Sequence, residues 1–482
     1  MGLLKLAFRR SSIKQFTEAD AHLKKVLDTK DLVALGIGTV IGTGIFILPG
    51  TEAATHAGPA VAISFLLAAI ISGISGMAYS EFASALPVAG SAYSYGSVIF
   101  GQVVVGWFLG WSLILEYFLA TSAVSVGFSS YLAGLLQTDH ISGFNSILAG
   151  PMEGGIINLP AVVLLLVILG IQIIGLSTTR WVENVFVAIK LAILAIFIIV
   201  GLFFIKSNNY VPFYPKEFQT GAFGLSGIWM ATSGIFFAFI GFDTLAAHTA
   251  EVKNPKKQVA RGIIYTVIVA AVLYTLFAIV LTGMVNYTKL NVSDPASFAF
   301  TFVGQKGLAS VIGIGSMIGM FTGVLALVFA SSRLIYSFGR DGLLPNFIGK
   351  ISGSQHVPFN ALLIAGVVEI ILAGFVPLSY LASLINAGTL AAFTFVNFGI
   401  IPLRHRTDLP NENGFRVPGY PIIPIIGGLT SFFFITQLET KTLVMFGVWT
   451  LVGLLIYFTY GVRHSMVKES KFDQSIIKEN NA

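Results

Sequence analysis

Long apolar segments recur along almost the whole chain, and they constrain its fold more than any other feature. The 482 residues are 55% hydrophobic and only 10% charged, whereas soluble proteins average about 25% charged residues. A helix needs roughly 20 apolar residues to cross the hydrocarbon core of a bilayer, so about twelve such helices would use about half of this chain. The sequence therefore predicts an all-α polytopic membrane protein with 12 transmembrane helices.

Twelve apolar runs, bounded by polar residues or by proline and glycine, define the predicted spans. The first thirty residues are largely polar, so a cleavable signal peptide is not expected and span 1 is predicted to direct insertion itself. Cysteine is absent and the seven histidines are scattered, so neither disulfides nor a metal cofactor is expected. The spans are predicted near 32–56, 59–82, 101–136, 157–177, 181–205, 222–250, 261–285, 308–338, 358–376, 379–403, 421–437 and 442–462.

The distribution of basic residues predicts the orientation of these spans. With the N-terminus inside, 22 of the 28 Lys and Arg residues fall in cytoplasmic segments, five fall in outer segments, and Lys190 lies within span 5. Cytoplasmic loops carry the excess of Lys and Arg, so both termini are predicted to be cytoplasmic. The net charge of +6 follows from this topology, and a nucleic-acid partner is not expected.

Two spans are interrupted by glycine near their middle. Span 1 carries four glycines within 36–44, and each costs a helix about 1 kcal/mol relative to alanine. Span 6 carries Gly241 two residues before Asp243. Interruptions at matching positions of two halves are the best sequence indication of a transporter's central site. For span 1 alone, the alternative is a close-packing seam from Gly38 to Gly42.

The ends of such broken helices would complement the backbone of an amino acid. Unwinding at 42–44 would expose the N–H groups of Thr43, Gly44 and Ile45 at the positive end of a half-helix, which suits a carboxylate. The first half of span 6 would end in free carbonyls from about Phe237 to Ile240, which suit an ammonium group. The Phe237 ring lies at this interruption, where it could close over a ligand.

Three ionisable residues are predicted to lie near the bilayer centre: Glu116, Lys190 and Asp243. A charge at that depth costs at least about 2.5–3.5 kcal/mol, so such residues face a cavity or a partner. Lys190 is predicted to alternate between charged and neutral forms and to couple transport to protons, and the alternative is a permanent ion pair with Glu116 or Asp243. Glu369 in span 9 lies outside this group. Charges near span ends, Glu81 among them, are explained by interfacial solvation or loop contacts.

Six short motifs occur in a fixed order along the chain. The motifs are GIGTVIGTGIF (36–46), LPVAGSAYSY (86–95), GFD (241–243), EVKNP (251–255), RDGLLP (340–345) and FRVP (415–418). With these motifs, the chain from about residue 31 to 464 resembles the amino acid-polyamine-organocation superfamily, and most closely its bacterial cationic amino acid transporter family.

The resemblance implies a leucine-transporter-type 5+5 inverted repeat plus two C-terminal helices, working by alternating access. It divides the chain into an N-terminal tail (1–30), a first repeat (31–205), a second repeat (206–403), two further helices (404–462) and a C-terminal tail (463–482). It also implies that Lys190 replaces a sodium ion, so that a proton is the coupling ion. The implied substrate-binding residues are Ile41, Thr43, Gly44, Ile45, Glu116, Phe237, Ala238, Ile240 and Asp243, with Phe237 as the gate.

The substrate follows less directly from the residues. Glu116 and Asp243 would complement arginine, lysine or ornithine, which are the expected substrates, but similar transporters with the same motifs carry branched-chain or other neutral amino acids. A channel and an amino acid sensor are alternatives from other classes, and an enzyme is not expected because no nucleophile-base pair occurs within the spans. The expected partners are an L-amino acid and the lipid bilayer. The sequence does not determine whether a small membrane subunit also binds. The expected location is the bacterial cytoplasmic membrane.

Overall fold

The computed structural model describes residues 25–88, 91–100, 103–136, 145–174, 180–217, 222–351, 357–406 and 414–465. Within these ranges the chain is helical and forms no β-strand, and an isolated β-bridge joins Leu27 to Val252. Most of the predicted tails (1–30 and 463–482) lies outside the described residues, as do residues 101–102 of predicted span 3 and 175–177 of predicted span 4.

The described helices of eight or more residues are numbered α1 to α15 in chain order. Each predicted span coincides with one of these helices or with a broken pair of helical segments. The helices are α1 Thr29–Val40, α2 Thr43–Glu52, α3 Val61–Ala85, α4 Ser91–Ile99, α5 Val103–Leu136, α6 Leu159–Ile173, α7 Arg180–Gly201, α8 Gly224–Ile235, α9 Pro255–Met284, α10 Pro295–Phe302, α11 Lys306–Arg340, α12 Phe359–Phe375, α13 Leu378–Arg404, α14 Ile422–Thr436 and α15 Thr440–Ile456.

Eight helical stretches in the described part of the chain are long and apolar enough to cross a membrane. One of them, Thr43–Ala85, runs from α2 through α3. Three further apolar helices, α6, α12 and α14, have only 15 to 17 residues, which is about 22–26 Å of helix against a hydrocarbon core of roughly 30 Å. The prediction of a helical, polytopic membrane protein is confirmed, and the count of twelve spans stays a prediction.

A capping box outside the predicted spans starts α1. The Asp28 side chain accepts hydrogen bonds from the N–H groups of Asp31 and Lys30, and the Asp31 side chain accepts one from the Asp28 N–H. These bonds favour the ionised form and lower the pKa of Asp28 below its usual value. The Leu27 N–H donates to the Glu251 carbonyl at 3.0 Å, which ties the start of α1 to the segment that precedes α9.

The central helices pack so that α5 and α13 flank the two interrupted spans. α5 packs against α11 and α13, α3 packs against α9, and α7 lies against both α1 and α11. The segment Phe236–Phe239 that follows α8 contacts α2 and α13. The interruptions therefore lie inside the bundle rather than at its lipid-facing surface.

A buried ion pair joins α3 to the end of α13. Arg404 donates from Nε to Glu81 Oε1 at 2.7 Å and from Nη2 to Glu81 Oε2 at 2.9 Å. The Val417 N–H donates to the same Oε2 at 2.6 Å, and the guanidinium lies 4.2 Å from the centre of the Tyr420 ring. Glu81 is 0% exposed, so the ion pair with Arg404 at the end of α13, together with the loop N–H of Val417, and not interfacial solvation, explains this charge.

Candidate functional site at the two helix interruptions

The predicted interruption of span 1 is present. α1 ends at Val40 and α2 begins at Thr43, and neither Ile41 nor Gly42 between them has helical dihedral angles. The glycines of this stretch do not form one seam, because Gly38 faces α7 whereas Gly42 faces α5. The close-packing alternative for span 1 is therefore wrong.

The interruption of span 6 is also present. α8 gives way to a short 3₁₀ segment, Phe236–Phe239, after which Ile240 is extended and Gly241 has a φ of +118°. Glycine adopts such a φ without the steric cost that a Cβ would bring. Helical structure resumes at Thr244, so the chain is irregular on both sides of Gly241.

The two interruptions touch each other at two points. A Cβ placed on Gly44 would lie 2.5 Å from the Ala238 Cα, and one placed on Gly241 would lie 2.9 Å from the Thr39 Oγ1. The Thr39 hydroxyl oxygen lies 3.2 Å from the Gly241 carbonyl, and 3.0 Å from the Leu35 and Gly36 carbonyls of its own helix. The irregular backbone of span 1 thus lies directly against that of span 6, as a shared site requires.

The start of α2 offers hydrogen-bond donors at the positive end of a helix. Its N-cap residue, Gly42, provides no side-chain acceptor, and the first N–H groups of a helix have no partner within the helix. Thr43, Gly44 and Ile45 are all buried. In the described part of the structure, the Thr43 hydroxyl oxygen has no hydrogen-bond partner. This group of donors suits an anionic carboxylate.

The end of the 3₁₀ segment offers the opposite polarity. The Ile240 N–H donates to the Phe237 carbonyl at 3.3 Å, so that carbonyl, predicted to be free, is partly engaged. Carbonyls that follow the last helical turn lack the donors that a continuing helix would provide. Phe237, Ala238 and Ile240 are buried, and the Phe237 ring is 6% exposed.

Two predicted acids lie buried beside this centre and are held by different partners. Glu116 Oε2 accepts a hydrogen bond from the Thr389 hydroxyl at 2.9 Å, and Asp243 Oδ1 accepts one from the Gly241 N–H at 3.1 Å. The other oxygen of each carboxyl has no hydrogen-bond partner among the described residues. Each carboxyl therefore has one oxygen available for a ligand.

Lys190 contacts the backbone of α1 and not a carboxylate. Its Nζ donates to the Gly38 carbonyl at 2.6 Å, its side chain is 1% exposed, and Gly319 of α11 lies against its aliphatic part. The Gly38 carbonyl belongs to the last turn of α1, where carbonyls lack helical partners and carry partial negative charge. No ion pair found among the described residues includes Lys190, so the alternative of a permanent ion pair is wrong.

Several polar side chains that support the interruptions were not predicted. The Tyr274 hydroxyl donates to the Val40 carbonyl at 2.7 Å, and Asn386 donates to the Gly234 carbonyl at 2.9 Å. Thr389, which holds Glu116, lies one turn after Asn386 on α13. In the sequence, such a supporting residue is indicated only by its being a polar residue within an apolar span. This indication is weak, because hydroxyl groups in helices commonly bond to their own backbone.

Comparison with known proteins identifies the family. The sequence profile of the amino acid permease family matches residues 27–459. The chain belongs to this family. The permease is 42% identical to the methylthioribose transporter of Bacillus subtilis, over 93% of this chain and 95% of that protein. It is 42% identical to the branched-chain amino acid permease BcaP of Lactococcus lactis subsp. cremoris, over 94% of this chain and 98% of that protein.

A more distant match reaches plant proteins. The permease is 33% identical to the mitochondrial cationic amino acid transporter 3 of Arabidopsis thaliana, over 84% of this chain and 67% of that protein. The predicted membership of the amino acid-polyamine-organocation superfamily is confirmed by the family match and by these relatives.

Proposed function

We propose that this permease is a secondary active transporter that carries a neutral amino acid of the branched-chain type across the bacterial cytoplasmic membrane by alternating access. The observation that carries the proposal is the contact between the two interrupted spans, at Gly44 with Ala238 and at Thr39 with Gly241. The positive end of α2 and the end of the 3₁₀ segment then meet within a buried centre. An amino acid backbone supplies the carboxylate and the ammonium group that these two ends require.

The expectation of a cationic substrate is corrected here in favour of the neutral alternative. Two relatives at 42% and 37% identity are branched-chain amino acid permeases, whereas the cationic amino acid transporters match at 33–34%. The side chains at the interruptions, Ile41 and Phe237 among them, offer apolar surface that suits an aliphatic substrate.

The proposed binding mode uses the predicted residues in distinct roles. The N–H groups of Thr43, Gly44 and Ile45 hold the substrate carboxylate, and carbonyls around Ile41, Phe237, Ala238 and Ile240 hold its ammonium group. The Phe237 ring closes the site as a gate. Glu116 and Asp243 line the space for the substrate side chain.

Proton coupling through Lys190 is part of the proposal. A charged Lys190 holds the end of α1 through the Gly38 carbonyl. Loss of its proton removes the charge from this hydrogen bond, and a hydrogen bond to a charged donor is roughly twice as strong as a neutral one. α1 would then be freer to move away from α7, which links the protonation of one side chain to a change of access.

The proposed topology keeps both termini in the cytoplasm. It has twelve spans, with a first repeat over 31–205, an inverted second repeat over 206–403 and two further helices over 404–462. The tails are 1–30 and 463–482. The matching interruptions in the first span of each repeat support this division.

Counterflow in proteoliposomes tests the proposed function. Vesicles loaded with unlabelled leucine should take up labelled leucine transiently, because a carrier exchanges bound substrate whereas a channel does not. Isoleucine and valine should compete, and arginine and lysine should not. Competition by arginine would restore the cationic alternative, competition by methylthioribose alone would point to the substrate named for the Bacillus relative, and absence of counterflow with every ligand would reject the proposal.

A further inference from the structure

A buried carboxyl group lies outside the proposed transport site, at the junction of three helices. Glu369 lies on α12 and is 0% exposed. Its Oε1 accepts a hydrogen bond from the Ser331 hydroxyl of α11 at 2.7 Å. The Ser122 hydroxyl of α5 lies 3.0 Å from the Glu369 backbone carbonyl and 2.8 Å from the Phe118 carbonyl of its own helix. Side chains of α5 and α11 therefore both lie against one residue of α12.

The second carboxyl oxygen, Oε2, has no donor. In the described part of the structure it has no hydrogen-bond partner. The Thr121 hydroxyl lies beside the carboxyl, but its single proton is donated to the Tyr117 carbonyl at 2.7 Å. The neighbouring Ser125 hydroxyl donates to the Thr121 carbonyl at 2.8 Å. Thr121 can still accept a hydrogen bond, because a hydroxyl oxygen has two lone pairs.

Among the described residues, no positive charge compensates Glu369. The helices packed against α12 are α5, α6 and α11; α6 has no ionisable side chain, and α12 has none besides Glu369. On α5 the nearest titratable residues along the helix are Glu116 and Tyr117. On α11 they are Tyr336 and Arg333, and the Arg333 guanidinium is exposed and lies 4.4 Å from the centre of the Phe329 ring. The ion pairs found among the described residues do not include Glu369.

We propose that Glu369 is a proton-binding site, in which a proton on Oε2 is donated to the Thr121 hydroxyl oxygen. This hydrogen bond joins α12 to α5. A carboxylate would leave one buried oxygen without a donor and a charge without a counter-ion, and each is costly in an apolar interior. The acid satisfies every polar atom of the cluster, with Ser331 donating to Oε1 and Oε2 donating to Thr121. The ligand is a proton taken from solvent.

Infrared spectroscopy of the purified full-length protein tests the site directly. A protonated carboxyl absorbs as a carbonyl stretch that is separate from the carboxylate bands. At neutral pH, Glu369→Gln should remove one such band, whereas Glu153→Gln, at an exposed position outside the predicted spans, should leave that region unchanged. If Glu369→Gln instead removes carboxylate bands and leaves the acid region intact, the proposal is overturned.

A second variant keeps the test decisive if Glu369→Gln does not fold. Thr121→Val preserves the shape of the side chain and removes the hydrogen-bond acceptor. The acid carbonyl band should then move to higher frequency, because its hydroxyl loses its partner, and an unmoved band would contradict the proposal. Above about pH 4.3, the ordinary pKa of a glutamate, the melting temperature of the wild type should contain a contribution that falls as the pH rises, since the folded state binds a proton that the unfolded state releases. Glu369→Gln should flatten this dependence, and equal slopes would refute the site.

Discussion

The Lys190 ammonium donates a 2.6 Å hydrogen bond to the Gly38 carbonyl, two residues before α1 ends at Val40. This bond joins α7 to the end of the interrupted span. A cation at the C-terminal end of a helix interacts favourably with the helix dipole and satisfies a carbonyl that has no helical donor. The charge on one buried side chain therefore bears on how firmly α1 is held in the bundle.

Substitution of Lys190 should separate coupling from binding. Lys190→Ala removes a hydrogen bond from a charged donor, worth about 1.5–3 kcal/mol, which corresponds to about tenfold or more. Uptake driven by a proton gradient should fall by at least that factor, while leucine counterflow should fall less. Uptake under an imposed pH gradient measures this effect. Lys306→Ala, at an exposed position, serves as the control, and concentrative uptake at the wild-type level in Lys190→Ala would reject the coupling role.

Substitution of Gly44 should disturb the contact between the two interruptions. A Cβ at this position would lie 2.5 Å from the Ala238 Cα and 2.8 Å from its Cβ, and overpacking of this kind typically costs about 1–3 kcal/mol. Gly44→Ala should therefore lower both leucine uptake and the melting temperature. The matched control is Gly447→Ala on α15, where a Cβ would meet nothing within 4 Å. Equal behaviour of the two variants would show that the contact is unimportant.

The bond between Thr389 and Glu116 should be detectable as energetic coupling. Thr389→Val removes the donor and Glu116→Ala removes the acceptor of the same 2.9 Å hydrogen bond, so their effects on leucine affinity should not add, with a coupling of about 0.5–3 kcal/mol. A double-mutant cycle on substrate binding measures it. Thr394→Val is the control, because Thr394 on the same helix donates only to the Leu390 carbonyl one turn earlier. Additive effects would indicate that the bond does not shape the site.

The ion pair of Glu81 and Arg404 should contribute to stability rather than to substrate choice. Removing one partner of a buried pair costs about 3–5 kcal/mol, because the other charge stays buried without compensation. Arg404→Gln should thus lower the melting temperature, followed by tryptophan fluorescence, while the ranking of competing amino acids stays the same. Arg463→Gln, at an exposed residue, should leave the melting temperature unchanged. A changed substrate ranking in Arg404→Gln would contradict this assignment.

The sequence by itself determined the helical membrane class and the places where two spans are interrupted. Both properties act within one segment: hydropathy measures the transfer of a single helix into lipid, and glycine weakens the helix that contains it. The interruption predicted at 42–44 lies at residues 41–42, and the one predicted at Gly241 follows a helical segment that ends at Phe239. The buried positions of Glu116, Lys190 and Asp243 followed from their depth along the spans in the same way.

Only the tertiary structure decided which polar groups meet. Lys190 contacts a carbonyl 152 residues away and not a carboxylate, Thr389 holds Glu116 across 273 residues, and Glu369 bonds to Ser331 on a neighbouring helix. A hydrogen bond depends on distance and direction between two particular groups, and these are set by how helices pack against each other. Hydropathy along the chain contains no information on that packing, because the buried faces of helices in an apolar bundle all have similar hydropathy.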